Sequence, residues 1–96
     1  MIIVGQNKKM ICNYENATSI SVKKDDGRPD FYNIYINLVN GKSGLIAAYT
    51  TEERCIEVLQ EIADFYNNIE NIRVLENLDV LSILDHKHFV YTFPEV

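Results

Sequence analysis

The sequence predicts an α+β domain: an antiparallel sheet of about five to six strands, one or two helices packed on one face, and a C-terminal strand that closes the chain. Three observations lead there. Short β-branched and apolar runs separated by turn residues fill the first half, the dipeptide Asn40-Gly41 sits between two of them, and a helical apolar stripe starts just after Thr50. At 96 residues the chain is long enough for one hydrophobic core and too short for two, so residues 1–96 are read as a single domain.

In the first quarter, Met1–Val4, Met10–Asn13 and Thr18–Lys24 read as strands, with Gln6-Asn7-Lys8-Lys9 and Tyr14-Glu15-Asn16 as the breaks between them. Asp25-Asp26-Gly27-Arg28-Pro29-Asp30 gathers residues that fix turns, because Gly tolerates positive φ, Pro presets φ and Asp side chains bond nearby backbone amides. An exposed loop is expected there. Its carboxylates lack the spacing of an EF-hand calcium loop.

Phe31–Val39 and Lys42–Thr50 flank Asn40-Gly41, a pair that suits a type I′ hairpin turn with positive φ at both central residues. A simple two-residue turn pairs Val39 with Lys42 and sets Ile36 opposite Leu45, Ile34 opposite Ala47 and Tyr32 opposite Tyr49. That face is apolar and is expected to be core. The other face then carries Phe31, Asn33, Tyr35, Asn37 and Val39 beside Lys42, Gly44, Ile46 and Ala48. A bulge at Gly44 would shift the register by one and exchange some of these positions.

Thr50-Thr51-Glu52-Glu53 reads as a helix start, with Thr50 as N-cap and Glu53 completing a capping box. Cys55, Val58, Leu59, Ile62, Phe65, Tyr66 and Ile69 follow at helical spacing, which leaves Glu53, Glu57, Glu61 and Asp64 mostly on the opposite side. Asn67-Asn68 suggests a break, after which Ile72 to Leu84 fit a second helix, although Val80–Leu84 alone could also be a strand. His88–Phe93 alternates as a strand with Phe89, Tyr91 and Phe93 on one face, and Pro94, lacking an N–H, ends it.

The net charge of −5 conceals an asymmetry: residues 1–50 carry +2 and residues 51–79 carry −6. An acidic helical region repels phosphate, and Lys8, Lys9, Lys23 and Lys24 are too sparse for the usual nucleic-acid footprint. The first apolar run is too short for a signal peptide or a membrane span. Cys12 and Cys55 match neither a redox CxxC nor a zinc pattern, so free thiols in a reducing cytoplasm are expected.

Several phrases resemble small uncharacterised proteins of Firmicutes and their phages. They are the apolar start with its Gln-Asn turn, Asn13 and Asn16-Ala17-Thr18-Ser19-Ile20; the run from Asn40-Gly41 through Ala47-Ala48-Tyr49-Thr50-Thr51-Glu52-Glu53-Arg54-Cys55 to Ile62; and Phe89-Val90-Tyr91-Thr92-Phe93-Pro94-Glu95. These are hairpin, cap and edge-strand signatures, and the resemblance implies no activity. Between Asn67 and Lys87 the chain departs from that pattern.

Asp85-His86-Lys87-His88 is the one cluster of metal-capable side chains in the sequence, but a metal wants three or four protein ligands and the cluster does not supply them. A small metal protein or enzyme using His86 and His88 is therefore an alternative, and a nucleic-acid accessory protein is another. No nucleophile elbow and no phosphate loop is present, since Gly41-Lys42-Ser43-Gly44 belongs to a hairpin. The sequence assigns no catalytic residue, no cofactor and no metal ligand. The expected function is a non-catalytic module that associates with itself or with another protein, through the hairpin face bearing Phe31, Tyr35 and Ile46.

Overall fold

The structure, a computed structural model, describes residues 1–75 and 89–96, with side chains to residue 69 and again from 89. It is α+β. The elements run β1 (Ile2–Val4), β2 (Ile11–Asn13), a 3-10 turn (Tyr14–Asn16), β3 (Ala17–Lys24), β4 (Tyr32–Leu38), β5 (Ser43–Tyr49), α1 (Glu52–Leu75) and β6 (Val90–Thr92). Two three-stranded sheets replace the single larger one expected: β2-β1-β6 and β3-β4-β5. In the first, β1 pairs antiparallel with β2 but parallel with β6, so the sheet is mixed.

The β4–β5 hairpin forms, with a different turn. The Leu38 N–H donates to the Lys42 carbonyl (2.8 Å) and the Gly41 N–H to the Leu38 carbonyl (3.0 Å). Gly41 takes φ +85° while Asn40 does not enter the positive-φ region, which makes a three-residue loop with a glycine bulge in place of type I′. Near the turn the register is thereby one step off: Ile36 faces Gly44 and Tyr35 faces Leu45. A second irregularity then inserts Ile46 as the extra residue between Leu45 and Ala47 and restores the expected pairs Ile34–Ala47 and Tyr32–Tyr49.

This pair of shifts decides what is buried. Leu45, expected in the core, is 48% exposed, and Ile46, expected on the surface, is 3% exposed. The Ile46 carbonyl accepts from the Gln6 N–H (3.0 Å). Gln6 also clasps Ala48 with its side chain, Nε2 donating to the carbonyl (2.9 Å) and Oε1 accepting from the N–H (2.8 Å). The β1–β2 turn thus closes part of the β5 edge, and Gly44 gives room for the Met10 methyl, which a Cβ there would meet at 3.1 Å.

The core lies between the even-numbered face of β4, the helix and the first sheet. Ile3, Ile34, Ile36, Cys55, Val58 and Phe93 are its most enclosed side chains. Helix α1 buries Cys55, Val58, Ile62 and Ile69, with Leu59, Phe65 and Tyr66 half-buried beside them, and it crosses all three strands of the second sheet. Asn67 and Asn68 do not interrupt it. Their intrinsic helix penalty is only about 0.5 kcal/mol each, less than the roughly 1.5–3 kcal/mol from burying Ile69 one residue on. The separate second helix expected over Ile72 to Leu84 is, as far as Leu75, a continuation of α1, and the rest of it lies outside the described residues.

The cap also differs from expectation. Thr51 Oγ1 accepts from the Arg54 N–H (3.1 Å), so Thr51 is the N-cap, and the Thr50–Glu53 capping box is not formed. Thr51→Ala should lower unfolding stability by about 0.5–2 kcal/mol, whereas Thr50→Ala should cost little. Urea midpoints of the two variants check this, and equal shifts would contradict the assignment.

Candidate functional site

The surface singled out by sequence is the β3-β4-β5 face turned away from α1. Side chains alternate along β4, so Asn33, Tyr35 and Asn37 share that face, and the register brings neighbours to each. Three rungs result: Ser19–Asn37–Ser43, Ser21–Tyr35–Leu45 and Lys23–Asn33–Ala48. The first is a polar rung in which Asn37 Nδ2 donates to Ser19 Oγ at 2.9 Å. The middle rung sets the half-buried Tyr35 ring beside the exposed Leu45.

At the other end the face is roofed by the Asp25–Asp30 loop. Asp25 Oδ1 accepts from the N–H groups of Gly27 (2.8 Å) and Arg28 (3.0 Å), the turn chemistry expected of this residue. Asn33 Nδ2 donates to Asp25 Oδ2 and to Tyr35 Oη, both at 3.2 Å. These donors, the Asn33 amide first, hold the Asp25 carboxyl below the usual carboxylate range. Arg28 stacks over the half-buried Phe31 ring at 4.3 Å. Asn33 is buried, and its Oδ1 has no hydrogen-bond partner among the described residues. A depression of about 190 Å³ lies next to this roof, lined by Gln6, Arg28, Leu45 and Ala48 among others.

Phe31, Tyr35 and Ile46 therefore do not form one exposed patch. Phe31 is covered by Arg28, Tyr35 stands on the face, and Ile46 is inside the molecule. Leu45 takes the place assigned to Ile46. Gly44 was the only signal for that exchange, and it lies two residues from the bulge.

The remaining candidates separate. Among the described residues no three His, Cys, Asp or Glu side chains converge on one point; His86 and His88 lie outside those residues. Cys55 is buried with Sγ 3.6 Å from the Tyr32 carbonyl, and burial pushes its thiol and that of Cys12 up, away from the thiolate a nucleophile needs. Lys8 and Lys9 sit on the turn that docks at the β5 edge, where Lys8 pairs with Glu95 (3.4 Å). Lys23 and Lys24 end β3 at the opposite edge, so the sheet's width parts the two lysine pairs. Of the six tyrosines, Tyr49 and Tyr91 are buried and Tyr14 stacks on Tyr66 at 4.9 Å.

One cluster was not foreseen. Tyr49 Oη donates to the Pro94 carbonyl (2.8 Å), Tyr91 Oη to Glu61 Oε2 (3.0 Å), and Arg54 binds the Val96 carbonyl (3.1 Å) while pairing with Glu57 and Glu61. It ties residues 94–96 across the start of α1. These bonds hold the end of the described chain to β5 and α1, so the cluster acts as a structural clasp. Among the described residues no helix is long and apolar enough to cross a membrane. The chain matches no family model, no curated protein and no solved structure, so the functional reading rests on the geometry alone.

Proposed function

We propose that the protein is a non-catalytic interaction module that associates with itself or with a protein partner through the outer face of the β3-β4-β5 sheet. The observation that carries this reading is the middle rung. Leu45 is the large apolar side chain left exposed on the face opposite the helix, and it stands against Tyr35 at the centre of polar rungs. An apolar centre with a polar rim is the arrangement of protein interfaces, and tyrosine is enriched at their energetic centres.

Leu45→Glu tests the proposal, because a half-exposed position tolerates a charge without unfolding while an interface centre does not. The variant should keep the wild-type circular dichroism and lose association, with a loss of roughly tenfold or more in affinity for a residue worth at least 1.4 kcal/mol. Sedimentation velocity reads the outcome. A folded Leu45→Glu protein that associates and binds partners as the wild type does would refute the reading.

A further inference from the structure

The edge of β3 is a second surface, independent of the sheet face. β3 is the outer strand of its sheet, eight residues long, and no backbone bond to its outer side is made among the described residues. The direction of its free groups follows from β4. Leu38 N–H points to β5, so the alternation along β4 turns Ile36 and Ile34 to β5 and Asn37, Tyr35 and Asn33 to β3. The bonds Val39 N–H to Asn16 and Asp25 N–H to Phe31 agree with that parity. Ser19, Ser21 and Lys23 therefore spend their backbone groups on β4, and Ile20, Val22 and Lys24 present theirs outward.

Beside this edge runs a groove of about 230 Å³ between β3 and α1, lined by Tyr14, Ala17, Ile20, Leu59, Ile62 and Ala63. Ile20 and Val22 are half-buried on that side. The edge is also electrically polar: it leaves a turn bearing Glu15, runs past the helix segment where the exposed Asp64 follows Ala63, and ends in exposed Lys23 and Lys24. Glu15 pairs with the Met1 ammonium at 3.0 Å, and the Asp64 carboxylate accepts a hydrogen bond from Gln60 Nε2 at 2.9 Å.

We propose that two copies of this chain pair antiparallel through β3, about a twofold axis at Ser21, to make one six-stranded sheet. In this register Ile20 of one copy forms a hydrogen-bonded pair with Val22 of the other, because both present their backbone groups outward. Lys23 falls opposite Ser19 and Lys24 opposite Thr18, so no like charges oppose each other. The antiparallel sense carries the two lysines of each copy toward the Glu15 and Asp64 end of its mate, and this charge complementarity selects a second copy over an arbitrary strand. Ile20 and Val22 of the two copies then close over the paired grooves. An open edge of this length is otherwise a site of uncontrolled strand addition, and self-pairing removes it.

Backbone amide exchange, followed residue by residue in the intact protein over a range of concentrations, tests this without any substitution. The amides of Ile20, Val22 and Lys24 should exchange as free groups at high dilution and slow by about tenfold when nine-tenths of the chains are paired, while those of Ser21 and Lys23 stay protected throughout. Added salt should shift the dimer toward monomer. A protein that is monomeric at every concentration overturns the pairing, and so does protection of the outward amides that is independent of concentration, which would mean that the chain covers its own edge. A dimer whose three outward amides stay unprotected, and which Leu45→Glu dissociates, would overturn this inference and leave the sheet-face reading standing. The reverse pattern, protection on dimerisation together with an indifferent Leu45→Glu, would support the edge and remove self-association through the face.

Discussion

Phe93→Ala is expected to destabilise the protein by about 3–5 kcal/mol, the range for emptying a fully enclosed phenylalanine site. The Phe93 side chain is among the most buried in the molecule, and its ring meets Tyr91 edge-on with centroids 5.5 Å apart. Its N–H donates to the Val4 carbonyl (3.0 Å), extending the parallel β1–β6 pair by one bond. The next residue supplies the carbonyl that Tyr49 holds. Truncating the ring therefore leaves a cavity where the first sheet, α1 and the clasp meet, and the surrounding backbone is tied on both sides and has little freedom to fill it. Since small domains are stable by roughly 5–15 kcal/mol, such a loss would leave a substantial unfolded fraction at room temperature or above. Val90→Ala, on the exposed side of the same strand, should cost under about 1 kcal/mol. Urea denaturation of both variants checks the contrast; similar midpoints would show that the closing strand contributes little.

Raising the pH above 10 should destabilise the protein progressively, and the two clasp tyrosines should account for most of the fall. Burial pushes the Tyr49 hydroxyl up to about 12, and burial followed by the hydrogen bond to Glu61 raises that of Tyr91 further. In the unfolded chain both ionise near pH 10. A group whose folded pKa lies above its unfolded value contributes stability that is complete below the unfolded pKa and is lost as the pH climbs toward the folded one. The window accordingly opens near pH 10 and extends to about pH 12 for Tyr49. Each tyrosine contributes a slope of up to about 1.4 kcal/mol per pH unit within it. The thiols of Cys12 and Cys55, also raised by burial, act in the same direction from about pH 9. Tyr91→Phe should be less stable than the wild type at neutral pH, for want of the bond to Glu61, yet show a shallower decline above pH 10. Parallel curves for the two proteins would exclude Tyr91 as a source.

The sequence was legible where local chemistry acts alone. Asn40-Gly41 marked a hairpin, Asp25 organised its own loop, and Phe89, Tyr91 and Phe93 alternated as a buried face. It misled where two local choices were nearly equal in energy. Thr50 and Thr51 are adjacent and chemically identical, so only the approach of the chain from β5 selects the cap. The hairpin register depended on two irregularities that cancel, one at Gly41 and one at Ile46, and only the stretch between them departs from the simple count. That stretch contains Leu45 and Ile46, so the simple count puts Ile46 on the surface that Leu45 occupies. Long-range events left no trace. Neither the Gln6 amide that finishes the β5 edge nor the parallel union of β1 with β6 has a signature in the residues that make it.

That parallel union has a consequence for how the chain is made. Translation delivers β1 long before β6, so the β2-β1-β6 sheet cannot be completed until β6 has emerged from the ribosome. A two-stranded β1–β2 hairpin is at best marginal by itself. The β3-β4-β5 meander and α1, whose strand partners are close in sequence, have what they need much earlier. Met1 and Ile3 would then stay open to solvent and to chaperones until Phe89, Tyr91 and Phe93 arrive to cover them.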